Sequence, residues 1–363
     1  MSAEELKSWI GTHKNEIFAN DAVGTGCFSY LPGEVIWAVT TRCNLRCKHC
    51  SIAEMNSGEE LSTEEGFGLI EDAAKLGPVK FGFTGGEPLL RKDIYDLIEY
   101  AASFDMQVVM ATNGTLITNE VAKRLKKAGL ERAAMSIDGI GSLHDEFRGV
   151  NGAFERTLHG IKACEEEGVA VQLFTTVTRT NYAEIPEIIK LADDLNLWRI
   201  YLIYLIAMGR GKAISEVCLS TAENMQFFDD TVNNQKEAKT WLKPICNPQY
   251  WAYLKDAGLV SREDGIEFTG CTAGITRFHI FPNGDVTPCA YLPAKAGNIR
   301  ESRFLDIVRN SEMFKALRAR ALKGKCGTCK YRNICGGCRS RAYATSGDYL
   351  AEDPVCWLGD KGW

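Results

Sequence analysis

Short apolar runs alternate with helical patterns along the first half of the chain. Runs of strand length occur at 35–39, 79–84, 107–111, 131–137, 170–177 and 199–206. Segments of helical periodicity lie between them, at 91–103, 118–128, 153–167 and 183–194, and Ser62 has the residue type of a helix N-cap. This alternation predicts an α/β fold with a parallel sheet of right-handed βαβ units. Six units fall short of the eight of a closed barrel, so we expect an open, partial (β/α)6 barrel.

The pattern changes after the segment Gly209-Arg210-Gly211. Residues 220–260 are predicted to be helical, with Trp241 and Trp251 in their core, and a further helix is predicted near 311–322. An Asn-Gly pair at 283–284 lies between two apolar runs, which predicts a β-hairpin. The expected organisation is an N-terminal arm at 1–30, a barrel at 31–215, a helical bridge at 216–269 and a cysteine-rich extension at 270–363.

Composition narrows the class of protein. A formal net charge of −5 argues against nucleic acid as a partner, and no apolar run approaches the length that spans a membrane. The N-terminal residues lack the apolar stretch of a signal peptide, so we expect a reducing, cytoplasmic location. The chain has 14 cysteines, and most of them fall into two groups.

The first group, Cys43, Cys47 and Cys50, directly follows the apolar run at 35–39. Open parallel sheets carry their chemistry on the loops that leave the carboxyl ends of strands, so these thiols are predicted to lie at an active site. Three thiolates can hold three irons of a 4Fe–4S cluster and leave the fourth iron open for catalysis. The alternatives are a zinc site completed by His49, for which the spacing is atypical, and a disulfide, which a reducing location disfavours.

The cysteine spacing resembles the signature of the radical S-adenosylmethionine (SAM) enzymes, and Gly85-Gly86-Glu87-Pro88 resembles their GGEP motif. The resemblance implies that the open iron of the cluster binds SAM, which is cleaved to a 5′-deoxyadenosyl radical. It places Glu87 at the SAM amino group, Ser136 and Asp138 at the ribose, and Arg148 at the carboxylate; turn chemistry or a surface arginine are the alternatives. The residues expected to contact SAM are Gly85, Gly86, Glu87, Asn113, Ser136, Asp138 and Arg148.

The second group of cysteines resembles the SPASM extension of radical SAM enzymes, which holds auxiliary iron–sulfur clusters. The resemblance implies that one 4Fe–4S cluster is bound by Cys326, Cys329, Cys335 and Cys356. It assigns three irons of another to Cys271, Cys289 and Cys338, with no identified ligand for the fourth iron. One departure is the two-residue gap between Cys335 and Cys338, where the family usually has three. A pair of zinc sites is the alternative, and the isolated cysteines are expected to be ordinary buried residues: Cys27, Cys164, Cys218 and Cys246.

The C-terminal run of cysteines most resembles the tetrapyrrole-modifying branch of this family. That resemblance implies a siroheme- or coproheme-type iron tetrapyrrole whose side chains are decarboxylated, oxidised or shortened by acetate removal. Arg339 and Arg341 would then meet substrate carboxylates, and His279 is a conceivable axial ligand of the substrate iron. A low-potential donor such as ferredoxin or flavodoxin would supply electrons. The alternatives are a maturase of ribosomally made peptides and a non-catalytic electron-transfer protein.

Overall fold

The protein was analysed as a computed structural model that describes residues 33–52, 58–77, 80–259 and 270–358. The predicted N-terminal arm at 1–30 lies outside these residues. One mixed sheet contains the strands β1 (Glu34–Ala38), β2 (Lys80–Thr84), β3 (Gln107–Thr112), β4 (Arg132–Ser136), β5 (Ala170–Val177), β6 (Arg199–Tyr204), β7 (Trp241–Ile245), β8 (Arg277–Ile280), β9 (Asp285–Thr287) and β10 (Gly297–Asn298).

The helices of the described residues cover one face of this sheet and extend into the C-terminal region. They are α1 (Thr63–Ala74), α2 (Ile94–Ala102), α3 (Asn119–Lys127), α4 (Ser142–Arg148), α5 (Ala153–Glu166), α6 (Ile185–Asp194), α7 (Thr221–Gln235), α8 (Gln249–Asp256), α9 (Phe304–Asn310), α10 (Glu312–Arg318), α11 (Gly324–Thr328) and α12 (Arg339–Ser346). Short 3₁₀ segments occur at Pro88–Leu90, Tyr182–Glu184 and Gly209–Val217.

The strand order is β10-β9-β8-β1-β2-β3-β4-β5-β6-β7. Every pairing from β8 through β1 to β7 is parallel, whereas β8–β9 and β9–β10 are antiparallel. The α/β partial barrel with a cysteine-rich C-terminal extension is therefore confirmed, and β7 and β8 add one parallel strand at each side of the predicted six. Because all these strands run the same way, the loops that follow them share one edge of the sheet.

The side chains of β1 alternate between the helical layer and the barrel interior. Trp37 is fully buried against α1, where a Cβ on Gly66 would lie 2.5 Å from the indole ring. On the other face, Glu34 pairs with Arg277 of β8, with an N–O distance of 2.5 Å. The predicted N-cap is also present, since Ser62 and Glu65 form a reciprocal capping box at the start of α1.

The segment that was predicted to be a helical bridge contains a strand. The prediction that residues 220–260 are wholly helical was therefore wrong. Residues 241–245 form β7, which pairs with β6 at the edge of the sheet. Pro244 lacks a backbone N–H and is tolerated there because an edge strand has only one neighbour. Trp241 begins this strand and lies 4.6 Å from the Arg199 guanidinium, and Trp251 packs against the main core. The flanking segments are helical as predicted, in α7 and α8.

The predicted hairpin is confirmed, because β8 and β9 pair in antiparallel register around Asn283 and Gly284. Gly284 has a φ of +86°, which the turn requires and which other residues adopt at a cost. The predicted helix near 311–322 ends earlier, at Arg318. Two residues later Arg320 adopts a φ of +50°, which cannot continue a right-handed helix.

Candidate active site and cysteine clusters

The loop Cys43–Cys50 leaves β1 at the carboxyl edge of the sheet and is fixed from two sides. On one side, the Arg46 and Lys48 amides donate to the carbonyls of Arg148 and Phe147 at 3.1 and 3.0 Å. On the other, Arg210 donates its backbone N–H to the Cys50 carbonyl and its Nε to the Cys47 carbonyl, at 3.0 and 2.9 Å. The loop therefore presents its thiols from a backbone held by hydrogen bonds.

The three thiols of this loop lie within electrostatic reach of one another. Cys43 is exposed, Cys50 is half-buried and Cys47 is buried. Burial raises the pKa of Cys43 to about 11, and negative charge on Cys47 or Cys50 would raise it further. Such thiols stay protonated near neutral pH unless a metal displaces the proton, which is the behaviour of a metal-binding cysteine cluster.

The GGEP segment is joined directly to the start of the cysteine loop. The Glu87 amide donates to the Arg42 carbonyl at 2.7 Å, and the Gly86 amide donates to the Thr40 carbonyl at the same distance. A Cβ on Gly86 would lie 2.2 Å from the Arg42 carbonyl oxygen, so only glycine fits here. The two motifs that sequence analysis identified separately therefore form one piece of structure.

The Glu87 carboxylate is buried and binds the end of the neighbouring strand. It accepts hydrogen bonds from the Thr112 hydroxyl at 2.8 Å, the Asn113 amide at 2.9 Å and the Leu89 amide at 3.3 Å. Burial raises its pKa, and these hydrogen bonds offset part of the rise. Glu87 thus links β2 to β3, and its contact with the SAM amino group stays a prediction.

Asn113 joins the same network from the end of β3. Its Nδ2 donates to Oδ1 of Asn44 at 2.9 Å, and its Oδ1 accepts from the Thr115 hydroxyl at 2.6 Å. Asn44, in the cysteine loop, in turn donates from its Nδ2 to the Thr115 hydroxyl, which also follows β3, at 2.8 Å. The predicted cofactor residue Asn113 therefore holds the cysteine loop by a side-chain contact.

Asp138 and Arg148, predicted to contact different parts of SAM, form an ion pair with each other at 2.5 Å. Both are buried, and Arg148 also donates to the Cys47 sulfur at 3.7 Å. Burial raises the pKa of Asp138, but the Arg148 charge, two nearby histidines and the hydrogen bond from the Thr176 amide together hold that pKa below its ordinary value. Arg148, which was expected at the SAM carboxylate, thus neutralises one buried acid and faces one cluster thiol. Ser136 ends β4 and is half-buried. The contacts of Ser136, Asp138 and Arg148 with SAM stay predictions.

The structure also brings together the four cysteines assigned to the outer auxiliary cluster. Cys326, Cys329, Cys335 and Cys356 line one pocket. Backbone amides donate to three of these sulfurs: Asp353 to Cys326 at 3.4 Å, Tyr331 to Cys329 at 3.3 Å, and Gly337 to Cys335 at 3.3 Å. Hydrogen bonds to thiolates are a means by which proteins stabilise and tune iron–sulfur clusters, so this donor set fits the expected group.

The short gap between Cys335 and Cys338 has a structural reason. Gly336 and Gly337 both have positive φ values, of +69° and +61°. A Cβ on Gly337 would lie 3.1 Å from the Cys326 sulfur, and one on Gly336 would lie 2.2 Å from the Arg320 guanidinium. Two glycines therefore turn the chain tightly enough for Cys335 and Cys338 to serve neighbouring sites with only two residues between them.

The cysteines assigned to the inner auxiliary cluster surround the start of α12. Cys338 is the N-cap of this helix, and its amide donates to Asp353 at 2.6 Å. The Cys289 sulfur lies 3.3 Å from the Ser340 hydroxyl and accepts from the Tyr291 amide at 3.3 Å. The Cys271 amide donates to the Cys335 carbonyl at 3.0 Å, which places the inner and outer groups side by side.

Among the residues that the structure describes, no three His, Cys, Asp or Glu side chains converge closely enough to chelate a single metal ion. A four-iron cluster attaches its thiolates at the corners of a cube, so they stand farther apart than the ligands of one zinc ion, whose Zn–S bonds are ~2.3 Å.

Two expectations about substrate-binding side chains were wrong. Arg339 and Arg341 are buried, and neither is available to a substrate carboxylate. Arg341 forms a two-point ion pair with Asp353 at 2.6 and 2.7 Å, while Arg339 donates to the carbonyls of Tyr349 and Ala351 at 3.0 and 2.6 Å. Nothing in the basic run itself indicated Asp353, which lies twelve residues after Arg341 and neutralises that arginine.

His279 is also fully buried, on β8 inside the sheet, with its ring 4.8 Å from that of Phe281. Neither ring nitrogen has a hydrogen-bond partner among the described residues. Burial lowers its pKa to about 3, so the ring is neutral. Without exposed surface it cannot reach the iron of a macrocycle in this conformation, and the axial-ligand expectation is not supported.

Comparisons with known proteins decide the family. Residues 37–192 match the model of the Radical SAM superfamily, and residues 271–339 match SPASM, an iron-sulfur cluster-binding domain. The AdoMet-dependent heme synthase of Methanosarcina barkeri is 39% identical over 340 residues, which cover 90% of this chain and 96% of that protein. The chain belongs to the radical SAM superfamily. It is an enzyme, and its cofactors are SAM and iron–sulfur clusters.

Two further similarities of this radical SAM enzyme concern its sequence and its fold. The Fe-coproporphyrin III synthase of M. barkeri is 34% identical over 354 residues, covering 89% of this chain and 87% of that protein. The crystal structure of Streptococcus suis SuiB bound to its precursor peptide SuiA has a TM-score of 0.74 at 22% identity, covering 96% of this chain and 79% of that one. At that identity, the likeness to SuiB concerns the fold alone.

Several residues of the site were missed by sequence analysis. Arg210 positions the cysteine loop, Thr112 binds Glu87, and Asp353 binds the Cys338 amide. Each of them acts through a contact between distant segments. Only Arg210 carried a signal, since it lies between the two glycines that follow β6. Tyr291 is another: its surroundings include thiols of both the first and the inner auxiliary groups, Cys50 and Cys289.

Proposed function

We propose that this enzyme modifies the peripheral side chains of an iron tetrapyrrole by radical chemistry. The single observation that carries the proposal is the 39% identity with an AdoMet-dependent heme synthase across nearly the whole length of both chains. The identity with an Fe-coproporphyrin III synthase, at 34%, is lower over a similar span. A substrate at the last stage of side-chain modification, a coproheme-type iron porphyrin, is therefore the first candidate.

The geometry of the site supports a radical reaction that begins at the carboxyl edge of the sheet. SAM, when bound to the open iron, would supply a radical that abstracts a hydrogen atom. The residues at this edge would position the groups that react. Glu87, Asn113 and Asp138 lie at the ends of β2, β3 and β4, and each is buried in hydrogen bonds that hold the loop and strand ends rigid. Rigid positioning lets a reactive species meet only the carbon presented to it.

Carboxylates of the substrate require cations at this edge, and the buried Arg339 and Arg341 cannot supply them. Arg42 and Arg46 are exposed and lie on either side of Cys43 in the cluster loop. We infer that they meet the propionate groups of the substrate through charge-assisted hydrogen bonds.

The source of electrons and the location of the enzyme belong to the same proposal. Cleavage of SAM consumes an electron at low potential, so we propose a donor such as ferredoxin or flavodoxin. A cytoplasmic location is supported by the free thiol state of every cysteine in the described part of the chain. Within residues 33–52, 58–77, 80–259 and 270–358, no helix is both long and apolar enough to cross a membrane.

The test is anaerobic incubation of the cluster-loaded protein with SAM, a reductant, and either coproheme or didecarboxysiroheme, with products identified by mass. We expect coproheme to lose carboxyl groups as carbon dioxide, with 5′-deoxyadenosine formed in proportion. The control is the same reaction with Cys47→Ala protein, which should form neither product. Turnover of a peptide with no change in either tetrapyrrole would replace the proposal with a peptide maturase.

A further inference from the structure

Cys246, one of the cysteines expected to be ordinary buried residues, lies directly beside the inner auxiliary group. It follows β7 at the carboxyl edge of the sheet, the edge that also carries the first cysteine loop. Its φ is +57°, a left-handed conformation that costs a side-chain-bearing residue free energy and that glycine or asparagine adopts more readily. A cysteine held in that conformation suggests that the thiol itself is needed there.

A buried hydrogen-bond network connects Cys246 with Cys338. Arg341 Nη1 donates to the Cys246 carbonyl at 3.2 Å, while its Nε and Nη2 bind the Asp353 carboxylate. The same carboxylate accepts the Cys338 amide at 2.6 Å. Gln249, three residues after Cys246, completes the network by donating to Asp353 at 2.7 Å and accepting from Arg341 at 3.2 Å.

The remaining two thiols approach the same place. Ser340 lies two residues after Cys338 and directly before Arg341. Its hydroxyl oxygen is 3.3 Å from the Cys289 sulfur. Burial raises the pKa of Cys246 well above its ordinary value, and charges on Cys338, Cys289 and Cys271 would each raise it further. Cys271 has the same effect on the pKa values of Cys289 and Cys338. Hydrogen bonds thus connect Cys246 with Cys338 through Arg341 and Asp353, bring Cys289 to the start of the same helix through Ser340, and join Cys271 to this segment through the Cys335 carbonyl.

We propose that Cys246 is the fourth ligand of the inner auxiliary cluster, together with Cys271, Cys289 and Cys338. Cysteine ligation at every iron gives this cluster no open position. It therefore serves electron transfer and cannot bind a substrate carboxylate directly, as a cluster with three cysteines could. Arg341 and Arg277, the cations that face Cys246, offset part of the negative charge that four thiolates bring.

Tyr291 adds to the functional meaning of this assignment. Its amide donates to the Cys289 sulfur. The pKa of its hydroxyl is raised first by burial and then by Cys246, Cys289 and Cys50, and is lowered by Arg148. The surroundings of Tyr291 therefore include thiols of both the inner auxiliary group and the first cysteine loop.

The assignment does not depend on the identity of the substrate, and its test does not use turnover. The full chain carrying Cys43→Ala, Cys47→Ala and Cys50→Ala lacks the first cluster and leaves only auxiliary iron to be measured. Into this background we would introduce Cys246→Ala, and as a matched control Cys218→Ser. Cys218 is also half-buried, and its thiol contacts the Leu205 carbonyl at 3.7 Å, a contact that a serine hydroxyl can keep.

The measurements are iron and sulfide per chain and the electron paramagnetic resonance spectrum, before and after mild oxidation. The background and the Cys218→Ser control should hold about eight irons per chain and resist oxidation if both auxiliary clusters are 4Fe–4S. Cys246→Ala should lose about one iron on oxidation and give the signal of a 3Fe–4S cluster, because one iron has lost its protein ligand. Unchanged iron and an unchanged spectrum in Cys246→Ala would overturn the assignment.

A second variant covers the case in which Cys246→Ala fails to fold with its metal. Cys246→Ser offers an oxygen ligand at the same place and should retain iron with a shifted spectrum of the reduced cluster. A Cys246→Ser spectrum identical to that of the background would again reject Cys246 as a ligand. Added cyanide should leave the background spectrum unchanged; a response would show an open iron and contradict the proposal.

Discussion

At the scale of single residues, Arg148 connects two groups that lie far apart in the sequence. It pairs with the buried Asp138 and donates to the Cys47 sulfur. Arg148 is the last residue of α4, and the strand end that carries Asp138 precedes that helix, so the pairing depends on how the helix folds back. Sequence analysis identified both residues as functional and missed that each one serves the other.

Replacing Arg148 with Met should therefore destabilise the protein by about 3–5 kcal/mol, because Asp138 would remain as an unpaired buried charge. The free energy of unfolding of the cluster-loaded protein, measured anaerobically in urea, gives the value. The double variant Asp138→Asn, Arg148→Met should recover part of the loss, since no charge is then left buried. A single variant within 1 kcal/mol of the wild type would show that the pair contributes little.

The exposed arginines of the cluster loop provide a prediction about substrate affinity. Arg46→Gln should raise the dissociation constant for coproheme roughly tenfold, since the loss of one charge-assisted hydrogen bond costs about 1.4 kcal/mol or more. Titration followed by the absorbance of the tetrapyrrole measures this constant. Arg309→Gln, an exposed arginine at the end of α9, is the control and should bind as the wild type does. Equal affinity of both variants would remove Arg46 from the substrate site.

At the scale of elements, the sequence predicted the alternation of strand and helix but missed where the sheet ends. The six central strands have mostly apolar runs, in which the residues that face the helical layer are buried. β7 has Lys243 and Pro244 within five residues, a composition that argues against a strand when no neighbour is known. β8 was recognised as part of a hairpin. Its parallel pairing with β1 joins segments far apart in sequence, which local patterns do not encode.

The ion pair between Glu34 and Arg277 joins these two strands and gives a pH-dependent prediction. Burial raises the pKa of Glu34, but the charge and hydrogen bond of Arg277, together with the charges of Lys80 and Arg199, hold that pKa below its ordinary 4.5. Because the folded-state pKa is the lower one, the stabilisation is fully present above pH 4.5 and is lost as the pH falls through the folded-state value. Neutral pH therefore retains the full contribution of this pair.

Glu34→Gln should lower the free energy of unfolding at pH 7 by about 1 kcal/mol, a value kept small because the Arg277 side chain is 38% exposed. The difference from the wild type should shrink in acid, below the ordinary pKa of a glutamate. Urea unfolding at a series of pH values measures both effects. The control is Glu312→Gln, whose partner Lys315 lies on the same exposed helix; a difference as large there would show no special role for the β1–β8 pair.

At the scale of the whole molecule, the cysteines form three groups, one at the carboxyl edge of the sheet and two in the C-terminal extension. The first group is on the loop after β1, the inner group surrounds the start of α12, and the outer group lines the pocket beyond it. The sequence predicted the first set from its short spacings, and the outer set, whose member Cys356 lies far from the others, from the resemblance to the SPASM extension. It could not complete the inner set, since Cys246 follows a strand of the barrel and has no spacing relation to the other three.

The three groups lead to a prediction about metal content. The anaerobically purified protein should contain about twelve irons per chain if all three clusters are 4Fe–4S. Metal analysis together with sulfide determination gives this number. Stoichiometric zinc, or iron near four per chain with intact cysteines, would contradict the assignment of auxiliary clusters.

Separate cluster sites should also separate two activities. Cys47→Ala removes one of three protein ligands from the SAM-binding cluster, and Arg148 loses its thiol partner, so formation of 5′-deoxyadenosine should be abolished. Cys335→Ala removes a ligand from the outer pocket only. The backbone contacts of Arg46, Lys48 and Cys50 that hold the first loop involve no residue of that pocket, so SAM cleavage without substrate should persist.

Turnover of coproheme should fall more strongly in Cys335→Ala, because the electron released by the substrate then lacks its outer acceptor. Both products are measured by chromatography in the same reaction, with Cys218→Ser as the matched control. Equal loss of both activities in a Cys335→Ala protein that remains folded would show that the outer site supports the first cluster and is not a separate electron acceptor.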